Sequence, residues 1–216
     1  MKYDLVIFDL DGTILNTLED LHDSLNYALG RMGFPKRSLE EVRDFVGNGI
    51  RKLIERALPP GCDDKTIEEM LVIHREYYRV HCADKTRPYD GILELLAKLK
   101  QRGIRLAVLS NKPDYAVKIL CDRYFPGIFD KTYGFREGIA RKPAPDAVFA
   151  LLEELGVQRE RAVYVGDSEV DVQTAKNAGL DMVIVEWGFR KREFLIANGA
   201  LNLVSAPGEI LERAFV

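Results

Sequence analysis

The sequence predicts an α/β protein built on a doubly wound parallel sheet, with an α-helical domain inserted after the first strand. Three observations carry that expectation. Leu5-Val6-Ile7-Phe8 is a short apolar run that reads as a buried strand and stops in Asp9-Leu10-Asp11-Gly12-Thr13. From Pro88 onward, short apolar strands alternate with amphipathic helices over short connections, the grammar of a parallel sheet covered on both faces. Between these two stretches the periodicity is helical, with no strand pattern.

The helical stretch opens at Thr17, which with Asp20 resembles a capping box, and Leu18, Leu21, Leu25, Ala28 and Leu29 follow at helical spacing. Gly33 and Pro35 end that helix. Ser38 with Glu41 marks a second capping box and a short helix through Phe45. Val46-Gly47-Asn48-Gly49-Ile50 is a glycine-bracketed loop, and the helix after it breaks at Pro59-Pro60-Gly61. A long amphipathic helix then spans residues 64–81. In the second half, helices are expected over 92–101, 114–124, 145–155, 170–178, 191–198 and 208–215. Strands are expected over 104–109, 129–134, 162–165, 182–185 and 201–204, and Gly103, Gly156 and Gly179 close the helices before them. The first strand must pair with strands beyond residue 100. Residues 16–82 are therefore an excursion from a core of 1–15 and 83–216, placed over the acidic loop that it leaves and rejoins.

A chain of 216 residues holds one good-sized core, or a core with a small appended domain. With a net charge of −3, no basic face points to nucleic acid, and no apolar run approaches the length that spans a bilayer. Met1-Lys2 leads into the first strand without the apolar segment of a signal peptide. Cys62, Cys82 and Cys121 lie far apart without CxxC spacing, so the expectation is a cytoplasmic protein with reduced thiols. His74 and His81 can share a helix face, but no acid or cysteine completes a ligand set around them. They read, with His22, as surface or internally satisfied histidines.

Strands in such a sheet deliver their carboxyl ends to one edge, where ligands bind. Four strand ends or adjoining loops carry polar residues there: Asp9/Asp11/Thr13, Ser110-Asn111, Lys142 before Pro143, and Gly166-Asp167-Ser168 with Asp171. Each has an innocent reading. Asp11-Gly12 and Ser110-Asn111 are common turn chemistry, Lys142 a solvated loop residue, Asp167-Ser168 an N-cap, and Asp171 a solvated helix residue. Their coincidence at one edge argues for phosphoryl transfer. Asp9 can attack phosphorus, and Asp11 can protonate the leaving alcohol and later take a proton from water. Ser110 and the amides at Ser110 and Asn111 can hold non-bridging oxygens, while Lys142 opposes their charge. Asp9, Asp167 and the carbonyl of Asp11 make a hard oxygen site suited to magnesium, which offsets repulsion between a carboxylate and a phosphate dianion.

The four motifs, Asp9-Leu10-Asp11-Gly12-Thr13, Ser110-Asn111, Lys142-Pro143 and Gly166-Asp167-Ser168-x-x-Asp171, resemble those of the haloacid-dehalogenase superfamily. That resemblance implies a Rossmann-like core with a small helical cap. It also implies Asp9 as nucleophile, Asp11 as acid/base, Ser110 and Lys142 on the phosphoryl group, magnesium on Asp9, Asp11 and Asp167, and Asp171 in support. Within the superfamily the chain is similar to phosphoglycolate phosphatase-like members. The features are Asn16-Thr17, Val46-Gly47-Asn48-Gly49, Arg87-Pro88-Tyr89-x-Gly91 and Trp187-Gly188. The implied substrate is a small phosphorylated metabolite of the 2-phosphoglycolate kind. A pyrophosphatase or a β-phosphoglucomutase-type phosphotransferase shares the nucleophile, and a phospho-receiver module shares the aspartyl phosphate without a helical insertion.

The loop 46–50 can aim backbone amides at an anion from a helix N-terminus, with Arg51 one turn further on. Asn48 and Arg51 are accordingly expected to select the substrate. The alternative is that the glycines only permit a tight turn between helices.

Overall fold

A computed structural model describes residues 2–215. In chain order its first half comprises β1 (Leu5–Phe8), β2 (Leu15–Asn16), α1 (Leu18–Arg31), α2 (Leu39–Phe45), α3 (Ile50–Ala57) and α4 (Asp64–His81). The second half comprises β3 (Arg87–Pro88), α5 (Ile92–Gln101), β4 (Arg105–Pro113), α6 (Asp114–Tyr124), β5 (Lys131–Phe135) and α7 (Asp146–Leu155), then β6 (Ala162–Gly166), α8 (Glu169–Ala178), β7 (Asp181–Val185), α9 (Arg192–Ala197), β8 (Leu203–Val204) and α10 (Pro207–Phe215).

All four residues of β1 are fully buried, and alternate side chains feed two different cores. Val6 and Phe8 pack with α5, α6 and α10, whereas Leu5 and Ile7 pack with α7 and α8. Burial on both faces is why the run is continuously apolar rather than alternating. Each such side chain contributes about 1.5–3 kcal/mol by leaving water. β1 pairs in parallel with β4 on one side and β6 on the other, within a six-stranded sheet ordered β5-β4-β1-β6-β7-β8. The chain steps outward from β1 to β4 and β5, then returns to β6. That reversal beside β1 opens a crevice at the carboxyl ends of β1, β4 and β6.

β4 continues beyond the expected strand over 104–109, with an irregular register between Leu109 and Pro113. Ser110, Asn111 and Lys112 occupy that irregular stretch. A further element escaped the sequence: β2 and β3 form an antiparallel ribbon, Leu15 opposite Pro88 and Asn16 opposite Arg87. Two-residue strands carry no periodicity. Nearby, the expected Thr17–Asp20 capping box does not form. The buried Asp20 carboxylate instead accepts the backbone N–H groups of Lys85 (3.0 Å) and Thr86 (2.8 Å), stapling the outgoing helix to the returning chain. The Ser38–Glu41 box, by contrast, is complete.

Helices α1–α4 share a core that includes Leu25, Leu29, Val42, Ile54 and Met70, and Phe189 from beyond β7 enters it. Leu21 and Tyr78 face the other way and join the core beneath α5 and α6. Among the described residues no helix is long and apolar enough to cross a membrane.

Candidate active site

Asp9 follows the last residue of β1, and its N–H donates to the Val165 carbonyl of β6 (2.8 Å). The chain then turns tightly, with the N–H groups of Ile14 and Leu15 both on the Leu10 carbonyl. Gly12 sits at φ +86°, and a Cβ there would lie 2.4 Å from Asp167 Oδ2. Asp11-Gly12 is thus both a turn and a wall of the acidic site.

Lys142 is buried, and its Nζ donates to Asp9 Oδ1 (2.8 Å), Asp171 Oδ1 (2.8 Å) and the Tyr164 hydroxyl (2.9 Å). Burial disfavours the ammonium, but the carboxylates of Asp171 and Asp9 outweigh it and hold its pKa well above the ordinary value. Asp171 is fully buried rather than solvated. Its Oδ2 accepts the Ser168 hydroxyl (2.6 Å) and the N–H groups of Ser168 (3.1 Å) and Asp167 (3.2 Å), completing a capping box with Ser168 as the N-cap. Gly166 makes room for it, since a Cβ there would stand 2.3 Å from Asp171 Cβ.

Burial pushes the Asp9 carboxyl up to about 7, with Lys142 opposing the rise and Asp171 and Asp11 adding to it. Asp167 receives the Thr13 hydroxyl on Oδ1 (3.1 Å) and the Phe189 N–H on Oδ2 (2.8 Å). Burial, then Asp171 and Asp9, raise its pKa well above the usual carboxylate range. Carboxylate oxygens of Asp9, Asp167 and Asp171 lie within 4.8 Å of one another, and all three residues are buried. One ammonium does not balance that crowding. Asp171 is already committed to Lys142 and Ser168, which leaves Asp9 and Asp167 as the ligands on offer. An all-oxygen donor set with excess negative charge fits magnesium.

Ser110 is buried, and its Oγ accepts the Lys112 N–H (3.3 Å). The Asn111 side chain is a strut: Nδ2 donates to the carbonyls of Lys142 (3.0 Å) and Gly47 (3.2 Å), joining β4 to the Lys142 loop and to the turn between α2 and α3. Lys112 was not anticipated. Its buried Nζ lies 2.8 Å from Asp11 Oδ1, which also accepts the Thr17 hydroxyl (2.6 Å), and 4.8 Å from the ring centroid of Tyr78.

These groups open onto a cavity of about 80 Å³ whose other wall comes from the helical insertion, including Gly47, Ile50, Leu53, His74 and Tyr78. The side chains of Asn48 and Arg51, expected to select substrate, are spent elsewhere. Asn48 Oδ1 accepts from Arg56 (2.7 Å), and the Arg51 guanidinium pairs with Glu68, Asp64 (3.5 Å) and Glu55 (3.6 Å). Neither residue is among those that line the cavity. Helical geometry explains it: Ile50 and Leu53, three apart, share the inward face of α3, and Arg51 is turned about 100° from Ile50. His74 also departs from expectation, being neither exposed nor satisfied. It is buried, Nε2 has no partner among the described residues, and burial, then Lys112, depress its pKa to about 3.

The model of the haloacid dehalogenase-like hydrolase family matches residues 6–185, which include Asp9, Asp11, Ser110, Lys142, Asp167 and Asp171. The chain belongs to the haloacid dehalogenase-like hydrolases. A phosphoglycolate phosphatase of Aquifex aeolicus is 32% identical over 213 residues, 98% of each chain. One from Pseudomonas savastanoi is 38% identical over 192 residues, 86% of this chain and 70% of that one. Among solved structures, a protein of Lactobacillus delbrueckii proposed to be a phosphoglycolate phosphatase superposes with a TM-score of 0.93 at 39% identity, over 98% of both chains. These relatives place the hydrolase among the phosphatases of the family.

Proposed function

We propose that this hydrolase is a magnesium-dependent, cytoplasmic phosphatase that cleaves a small phosphate monoester of the 2-phosphoglycolate kind through an aspartyl phosphate on Asp9. The observation that carries this reading is the convergence of Asp9, Asp11, Ser110, Lys142 and Asp167 on one cavity beneath the helical insertion. The free thiols of Cys62, Cys82 and Cys121 suit a reducing compartment.

Magnesium would be held by the carboxylates of Asp9 and Asp167 and the carbonyl of Asp11, and supplies positive charge between nucleophile and phosphate. Lys142 occupies Oδ1 of Asp9, so the other oxygen attacks phosphorus. The bond to the leaving oxygen breaks as Asp11 gives that oxygen a proton. Ser110 and the amides beside it hold the non-bridging oxygens, with Lys142 opposing their charge. In the second step Asp11 takes a proton from water, the water oxygen attacks phosphorus, and the bond to Asp9 breaks. Inorganic phosphate leaves and both carboxyl groups are restored. Residues 16–82 act as a cap that excludes water and chooses the leaving group over a catalytic core of 1–15 and 83–216.

A screen of phosphate monoesters and inorganic pyrophosphate, with and without magnesium and beside Asp9→Asn, tests the reading. Magnesium-dependent turnover of a small monoester that disappears in Asp9→Asn is the expected result. Turnover that survives either Asp9→Asn or chelation overturns it, and a preference for pyrophosphate replaces the substrate.

A further inference from the structure

The wall of the cavity contributed by α4 holds two polar atoms with nothing to bond. His74 Nε2 and the Tyr78 hydroxyl oxygen are buried, and among the described residues neither has a hydrogen-bond partner. The two residues are one helical turn apart, their rings stack at 5.4 Å between centroids, and both line the cavity that holds Asp9 and Asp11. A buried unsatisfied polar group costs about 1–3 kcal/mol, so two adjacent ones on residues that line one cavity suit a ligand atom.

The chemistry of that atom follows from the wall. Burial, with Asp11 next, holds the Tyr78 phenol protonated, so it offers an O–H donor. The neutral imidazole of His74 offers an N–H at Nε2 in the matching tautomer. Arg75 joins the same lining, and Lys112, paired with Asp11 at 2.8 Å, lies 4.8 Å from the Tyr78 ring centroid. Two donors with Arg75 in the same lining suit an oxygen anion.

We propose that His74 and Tyr78 are specificity-determining residues that hold the carboxylate of the leaving group while its phosphoryl end meets Asp9. The assignment rests on the phosphatase reading above and narrows it to phosphate monoesters of short hydroxy acids. It also moves substrate selection from Asn48 and Arg51 to the inward face of α4.

The test compares 2-phosphoglycolate with 2-hydroxyethyl phosphate, which replaces the carboxylate by a neutral hydroxymethyl group, both with magnesium. Wild type is expected to favour the acid in kcat/KM by about tenfold or more, and Tyr78→Phe and His74→Phe to cut that preference by about tenfold each, through KM rather than kcat. A preference unchanged within about twofold in both variants overturns the assignment, as does a wild type that prefers the neutral ester. Inhibition of wild type does not depend on the variants folding: glycolate should compete about tenfold more strongly than ethylene glycol, and equal inhibition overturns the proposal. The two readings fail differently. Turnover without acid preference removes the roles of His74 and Tyr78, whereas no turnover of any phosphate ester removes the phosphatase.

Discussion

Lys112 Nζ and the Thr17 hydroxyl converge on a single oxygen of Asp11, at 2.8 Å and 2.6 Å. Lys112 comes from the sheet and Thr17 from the first turn of the helical insertion, so the carboxyl group is fixed from both halves of the molecule. An acid that must meet the leaving oxygen in the right orientation benefits from such a clamp. Lys112→Met keeps the length and apolar stem but removes the charge. On an ester with a neutral leaving group, kcat should fall by about 10²-fold with a smaller change in KM, and Thr17→Val should cost less. Steady-state kinetics decide it, and an unchanged kcat would show that Asp11 needs no such positioning.

Lys142 joins two buried carboxylates, and the consequences of removing either side differ in sign. Lys142→Met leaves Asp9 and Asp171 buried without their ammonium and should cost about 3–5 kcal/mol in urea unfolding. Asp9→Asn relieves the crowding among Asp9, Asp167 and Asp171. Its thermal midpoint should equal or exceed that of wild type while turnover falls by about 10³-fold or more. A clear loss of stability in Asp9→Asn would mean that the Lys142–Asp9 pair outweighs the repulsion.

Gly188 makes room for the carboxylate of Asp167, the proposed magnesium ligand. A Cβ there would stand 2.3 Å from Asp167 Cβ and 2.4 Å from Oδ2, the oxygen that accepts the Phe189 N–H. Gly188→Ala must therefore push the Asp167 carboxylate aside. The magnesium concentration for half-maximal activity should rise by about 10- to 100-fold, the usual cost of disturbing a ligand's support. The magnesium-induced rise in thermal midpoint should shrink in parallel, and an unaltered magnesium response would exclude Asp167 as a ligand.

What the chain disclosed in advance, and what it withheld, divides along local and distant causes. Asp9, Asp11, Ser110, Lys142 and Asp167 stood out because each lies at a strand end or in the loop that follows one, and parallel topology brings such ends together. Lys112 was invisible because it sits at the irregular end of β4, against Tyr78 of the distant helix α4. Thr17 and Asp20 carry a local capping signature, but partners far along the chain won both side chains: Asp11 for one, Lys85 and Thr86 for the other. Around Asn48 and Arg51, Gly47, Gly49 and Ile50 line the cavity and these two residues do not, because the helical face they occupy was not fixed by the loop pattern. His74 looked ordinary because nothing in a helix pattern says that a buried imidazole lacks a partner.

That imidazole also makes stability depend on pH. Unfolded, His74 takes up a proton near its ordinary value of 6.5, but burial, reinforced by Lys112, holds it to about 3 in the fold. The native state binds fewer protons between those values, so this contribution is whole above about pH 6.5 and shrinks as pH falls toward 3, by about 1.4 kcal/mol per pH unit. His74→Gln removes the titration. Between pH 6.5 and 4.5 wild type should therefore lose about 2–3 kcal/mol more unfolding free energy than the variant. Urea unfolding of both proteins across that range measures the difference, and parallel curves would mean that the folded protein lets the imidazole charge.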